Sequence, residues 1–117
     1  MPILNKGHSR LFQKYISQWM TKFRLGEWDV TYLFRDDNFE RLAECAPEPD
    51  VKQALIILFD HWQIEPSEEA LEQTACHEVI HVLLSPLMRL AAERYTTEKQ
   101  LADAEHDVIR ALERVLF

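Results

Sequence analysis

Three observations on this sequence predict an α+β fold. Apolar residues recur at intervals of three and four between His8 and Phe23, two central stretches alternate or run apolar at strand length, and two further helical stretches follow. That order predicts an N-terminal helix, a small three-stranded, mostly antiparallel sheet, a second helix and a long C-terminal helix. The 117 residues suit one domain spanning 1–117, with a single core and neither linker nor repeat inside it.

The first helix rests on Leu11, Phe12, Tyr15, Ile16, Trp19, Met20 and Phe23, which share one face at 3.6 residues per turn. In GEWDVTYLFRDD the period changes to two: Trp28, Val30, Tyr32 and Phe34 alternate with Asp29, Thr31 and Leu33, and Asp36, Asp37 and Asn38 follow as a turn. ERLAECAP alternates weakly up to Pro47, and Ala54 to Phe59 is apolar throughout, with the acidic turn PEPD between the two. EPSEEALEQTACHEVIHVLLSP opens on a possible N-cap, Ser67, with Glu68 and Glu69 suited to the positive end of a helix dipole, and Pro86 is expected to end that helix near Ser85. Thr97 and Gln100 have capping-box spacing for the last helix, whose apolar side is read as Leu101, Val108, Ile109, Leu112 and Leu116.

Composition narrows the function. With 47% hydrophobic residues and only two glycines the chain reads as folded rather than disordered. Its 13 Lys and Arg stand against 20 Asp and Glu, a net charge of -7, and no basic cluster is present to neutralise phosphates, so nucleic acid is a poor candidate and no such partner is expected. The start MPILNKGHSR lacks a signal-peptide core and no apolar run approaches the roughly 18 residues that span a bilayer, so no membrane partner and a cytoplasmic location are expected. Cys45 and Cys76 are too few for a secreted disulfide scaffold and form no CxxC pair; reduced, mostly buried thiols are expected.

The stretch TACHEVIHVLL, Thr74 to Leu84, carries the chemistry. Residues four apart stack on one helix face, so His77 and His81 can offer imidazole nitrogens to one zinc ion at about 2.0–2.1 Å. Glu78 lies about 100° round from His77, off the ligand row yet within reach of a metal-bound water, where it would act as general base while the ion stabilises the oxyanion. With five His and thirteen Glu, an H-E-x-x-H string arises by chance with a probability of roughly one in fifty, and its place in a capped helix makes coincidence rarer still. Cys76, at the neighbouring position, points off the His row and reads as a small buried hydrophobe.

A catalytic zinc needs a third protein ligand. VLLSPLMRLAAERY after His81 lacks the Gly and third His of the metzincins, which excludes that subclass. Glu105 falls among the apolar residues of the last helix, where a carboxylate needs a compensating partner, and is the first candidate. His106, about 100° further round, is the rival, with Asp103 and His61 behind it. Asp103 or Asp107 could orient a ligand histidine through its other ring nitrogen. Tyr32 and Tyr95 read as packing residues unless one reaches the metal, and His8 has no spacing partner and is assigned no chemistry.

With those residues in view, the chain resembles the minimal zincins, in particular the small phage- and prophage-encoded metallopeptidases that look like a stripped gluzincin. The resemblance is carried by HEVIHVLLSPL, His77 to Leu87, and EHDVIRALERVL, Glu105 to Leu116, with EWDVTYLF and VKQALIILF as similar strands upstream. It implies one zinc per chain held by His77, His81 and Glu105, Glu78 as catalytic acid and base, and ALIILFD as an edge strand that pairs with extended peptide. The gluzincin Asp four residues beyond the ligand Glu is absent here, since that position is Ile109.

The expected function is therefore a zinc-dependent metallopeptidase in which Glu78 activates a zinc-bound water against a protein or peptide substrate. Two alternatives stand beside it: a catalytically inactive zinc-binding domain that works by binding a protein partner, and a hydrolase of a non-peptide amide.

Overall fold

The computed structural model describes residues 3–36, 41–93 and 95–117. In chain order the elements are α1 (Lys6–Lys22), β1 (Asp29–Arg35), β2 (Ala43–Glu48), β3 (Gln53–Phe59), α2 (Glu68–Ala91) and α3 (Glu98–Leu116). Asp37 and Asn38, part of the turn expected after the first strand, and Glu40, which opens ERLAECAP, lie outside the described residues.

Each helix begins where its side chains can satisfy the free N–H groups of the first turn. Ser67 caps α2 by accepting from the Ala70 N–H at 3.1 Å. The capping box at α3 pairs Thr97 with Gln100 as the spacing predicts. At α1 the box is made by Asn5 and His8, whose Nδ1 accepts from the Asn5 N–H at 3.0 Å; this gives His8 a structural role that spacing alone did not reveal. Helix α1 ends in a Schellman motif, the Arg24 N–H donating to Thr21 and the Leu25 N–H to Met20, with Arg24 in the left-handed conformation at φ 58°.

The three strands form a sheet of order β1-β3-β2. It is mixed rather than mostly antiparallel: β1 runs parallel to β3, Asp29 opposite Gln53 through Arg35 opposite Phe59, and β2 runs antiparallel to it. β3 is therefore central and paired on both sides, which corrects the expectation that ALIILFD is an edge. Its near-continuous apolar run is the mark of a central strand, and the free edge beside the helices belongs to β2.

Ala54, Ile56 and Leu58 of β3 face a helical layer in which Phe12, Ile16 and Met20 of α1 meet Leu71, Ala75, Val79 and Val82 of α2. Trp62 is wholly buried beneath them, its Nε1 donating to the Leu42 carbonyl at 3.2 Å. Among the described residues no helix is long and apolar enough to cross a membrane.

Two helix expectations are corrected. α2 does not stop at Pro86 but continues to Ala91. Proline removes the N–H that would reach the Val82 carbonyl, and the buried Ser85 hydroxyl donates to that carbonyl at 2.7 Å instead, so no acceptor is stranded and the helix continues. α3 packs through Ala104 and Ala111, flanked by the half-buried Leu101, Val108 and Val115, and leaves Ile109, Leu112 and Leu116 exposed. Small alanines allow the close approach to α2, and they contribute little to a hydropathy pattern.

Candidate metal centre

His77 and His81 lie one turn apart on the exposed side of α2, with ring centroids 5.0 Å apart and planes at 73°. Glu78 turns the other way, toward β2, and is only 5% exposed. Its Oε2 is fully buried with no hydrogen-bond partner, the sole such side-chain atom among the described residues. Burial pushes the Glu78 carboxyl above the usual range; the neighbouring imidazoles pull it down and Glu44 adds to the rise.

These side chains sit along a seam between α2 and β2. One hollow of about 380 Å³ brings His77 and Glu78 together with Arg41, Leu42, Ala43 and Thr74. A second, of about 310 Å³, is lined by His81 and Ser85 with Pro47, Pro49 and Met88. Asp50 in the β2–β3 turn is bound by Arg89 at 3.2 Å, fastening the far end of the hairpin to α2.

The backbone of β2 is arranged to match. The Phe59 N–H donates to the Leu42 carbonyl, so in the antiparallel register Leu42, Glu44, Ala46 and Glu48 direct their backbone groups toward β3. Ala43, Cys45 and Pro47 then direct theirs to the free edge, and Pro47, which has no N–H, occupies a position where none is needed.

A zinc ion fits part of this arrangement. Two imidazoles at helical spacing match its preference for nitrogen donors, and a buried carboxylate oxygen without a partner is what a site for metal-assisted proton transfer leaves beside them. The third ligand is not brought to them: among the described residues no His, Cys, Asp or Glu atom completes a set of three with His77 and His81 within 4.8 Å. Glu105, expected on the apolar side of the last helix, is exposed, because the packed stripe of α3 runs through Ala104 and Ala111. It has no ion-pair partner among the described residues, whereas Asp103 is bound by Lys99 and Asp107 by Arg110. His106 is exposed too, its Nδ1 2.8 Å from the Ala102 carbonyl.

The cluster of three metal-type ligand atoms that does lie within 4.8 Å is Asp36, Asp60 and His61, at the C-terminal ends of β1 and β3. His61 Nδ1 is 2.6 Å from Asp60 Oδ1, and the Asp36 carboxyl is raised by its hydrogen bond to Asp60 and by the charge of that neighbour, with His61 pulling it down. The sequence hid this grouping because only the parallel pairing of FRD with LFD aligns their ends.

Tyr32 faces the core, where burial raises its phenol, and Tyr95 is exposed; neither lines the two hollows. Cys45 and Cys76 are free, half-buried thiols, and burial pushes Cys45 up to about 12, with Glu78 adding to the effect. No protein-family model, curated protein or solved structure matches this chain.

Proposed function

We propose that this chain is a zinc-dependent metallopeptidase in which His77 and His81 hold the metal and Glu78 is the general base. The observation that carries the reading is the buried, unpartnered Glu78 Oε2 set behind two same-face imidazoles at a seam bordered by a free strand edge. A burial of that kind costs stability, and carboxyls held at such a cost gather at functional sites. The resemblance of HEVIHVLLSPL to the small zincins supports the same assignment.

Glu105 is the third ligand in this reading, favoured over Asp103 and His61 by its freedom from ion pairs, with His106 as the competing donor. Zinc, when bound, supplies Lewis-acid polarisation of a peptide carbonyl. Glu78 takes the proton from the attacking water and delivers it to the leaving amine, so one carboxyl acts first as base and then as acid. Substrate lies extended beside β2, pairing with the backbone groups of Ala43 and Cys45, which selects an unfolded segment with little regard to side chain. Two free thiols fit a reducing, cytoplasmic place of action.

The test is metal content by elemental analysis on wild type, Glu78→Gln, Glu105→Ala and His106→Ala, beside hydrolysis of an unfolded protein. Expected are near-stoichiometric zinc in wild type, zinc retained but hydrolysis lost in Glu78→Gln, and zinc lost in Glu105→Ala but not His106→Ala. A wild type that takes up no zinc when it is supplied overturns the reading; zinc retained with unchanged biological activity in Glu78→Gln makes the chain a non-catalytic zinc domain.

A further inference from the structure

A cavity of about 420 Å³ opens where the end of α1, the β2–β3 turn and α3 meet α2. Leu83, which α2 contributes to it, follows His81 by two residues and so lies about 200° round the helix, on the side away from the imidazoles. The cavity therefore lies on the other side of α2 from the imidazoles, sharing only Pro49 with the hollow that His81 lines, and zinc has no part in it.

Its floor is apolar: Phe23, Trp28, Leu83 and Ala111 are all buried core residues. Its rim carries four cations, Arg24, Lys52, Arg110 and Arg114, against two carboxylates, Glu27 and Asp107, an excess of positive charge in a chain of net charge -7. Two of these charges are already answered, Lys52 by Glu27 at 2.5 Å and Arg110 by Asp107 at 2.9 Å. Arg24 and Arg114 have no ion-pair or hydrogen-bond partner for their side chains among the described residues.

Backbone conformation draws attention to the same place. The non-glycine residues with positive φ among those described are Arg24 at 58° and Lys52 at 52°, and both line this cavity. A left-handed residue with a Cβ is strained, and glycine at either position would be free of that strain. Arg24 takes this conformation as the residue that closes the Schellman motif of α1 and Lys52 as the last residue of the β2–β3 turn, so in each case a fixed turn sets a cation at the rim.

We propose that this cavity binds a small amphipathic oxyanion, a carboxylate or phosphate head on an apolar body, with Arg24 and Arg114 holding the head. Guanidinium groups bind planar and tetrahedral oxyanions through paired N–H donors, and the apolar floor takes the body of the ligand. The volume falls in the range of small-molecule pockets, about 300–1,000 Å³.

Isothermal titration calorimetry on the full chain tests this with octanoate, octyl phosphate, octylammonium and inorganic phosphate, repeated on Arg24→Gly and Arg114→Gln. Octanoate or octyl phosphate is expected to bind once per chain, and the tighter of the two names the head group. Octylammonium is expected not to bind, inorganic phosphate to bind at least about tenfold more weakly than the better alkyl anion, and each variant to lose at least about tenfold in affinity. Arg24→Gly is expected to keep or raise the thermal midpoint, because glycine suits φ 58°, so a loss of binding there cannot be read as unfolding. The proposal is overturned if neither alkyl anion binds, if octylammonium binds as well, if inorganic phosphate binds as tightly as the alkyl anions, or if both variants bind like wild type.

Discussion

The Ser85 hydroxyl donates at 2.7 Å to the Val82 carbonyl, the acceptor that Pro86 leaves without its helical donor. Removing the hydroxyl in Ser85→Ala strands a buried carbonyl and is expected to cost about 1–3 kcal/mol in urea unfolding. In a Pro86→Ala background the restored N–H takes over the acceptor, so the same Ser85→Ala change should cost less than half as much. Equal costs in the two backgrounds would show that the hydroxyl does not substitute for the missing donor.

If the proposed function holds, Glu78 trades stability for chemistry. Its Oε2 lies buried without a partner, so Glu78→Leu, similar in size and apolar, is expected to stabilise the chelator-treated protein by about 1–2 kcal/mol while abolishing hydrolysis. Urea titrations of the two proteins in chelator measure it, and a destabilised Glu78→Leu would mean that the carboxylate is satisfied in solution.

Trp62 has no exposed surface and reaches the Leu42 carbonyl, which borders the hollow that holds His77. Trp62→Phe keeps most of the ring and loses the donor, an expected cost of about 1–2 kcal/mol, while Trp62→Ala should cost about 3–5 kcal/mol. Thermal unfolding of both variants measures it, and a Trp62→Phe that costs as much as Trp62→Ala would sink the expectation.

Tyr15 donates a short hydrogen bond to Glu68, which, with burial, holds its phenol up at about 12 rather than 10. A group whose folded pKa is raised stabilises fully below its unfolded value and ceases to do so as pH climbs through the folded one. The bond between α1 and α2 should therefore contribute fully below pH 10 and be lost between about 10 and about 12. Alkaline unfolding curves of wild type and Tyr15→Phe, converging across that window, are the measurement.

What could be read in the sequence was local. Ser67, Thr97 and Gln100 announce helix starts because a cap is made within three residues, and α1 follows from its period alone. What could not be read was set by partners. Pro86 looked like a stop because its compensation comes from a neighbouring hydroxyl rather than from the rule for proline. The parallel pairing of β1 with β3 depends on β2 being placed outside β3, which alternation in three short strands does not specify. Glu105 shares a helical stripe with Leu101, Val108, Ile109 and Leu112, which points it at the core by hydropathy, while the contact is made by two alanines. Of the candidate site, the two-histidine face and Glu78 were legible from spacing, and the hollows along β2 were not.

Pro47 has a consequence for how copies of this protein meet one another. An uncovered strand edge invites a second molecule to continue the sheet, and runaway pairing of that kind ends in aggregates. β2 interrupts the process at two places near its end: Glu48 adds negative charge to both partners, and at Pro47 the outward row lacks a donor. Only Ala43 and Cys45 keep both outward backbone groups, too short a row to hold a long foreign strand, which lets the edge stay uncovered without recruiting its own kind.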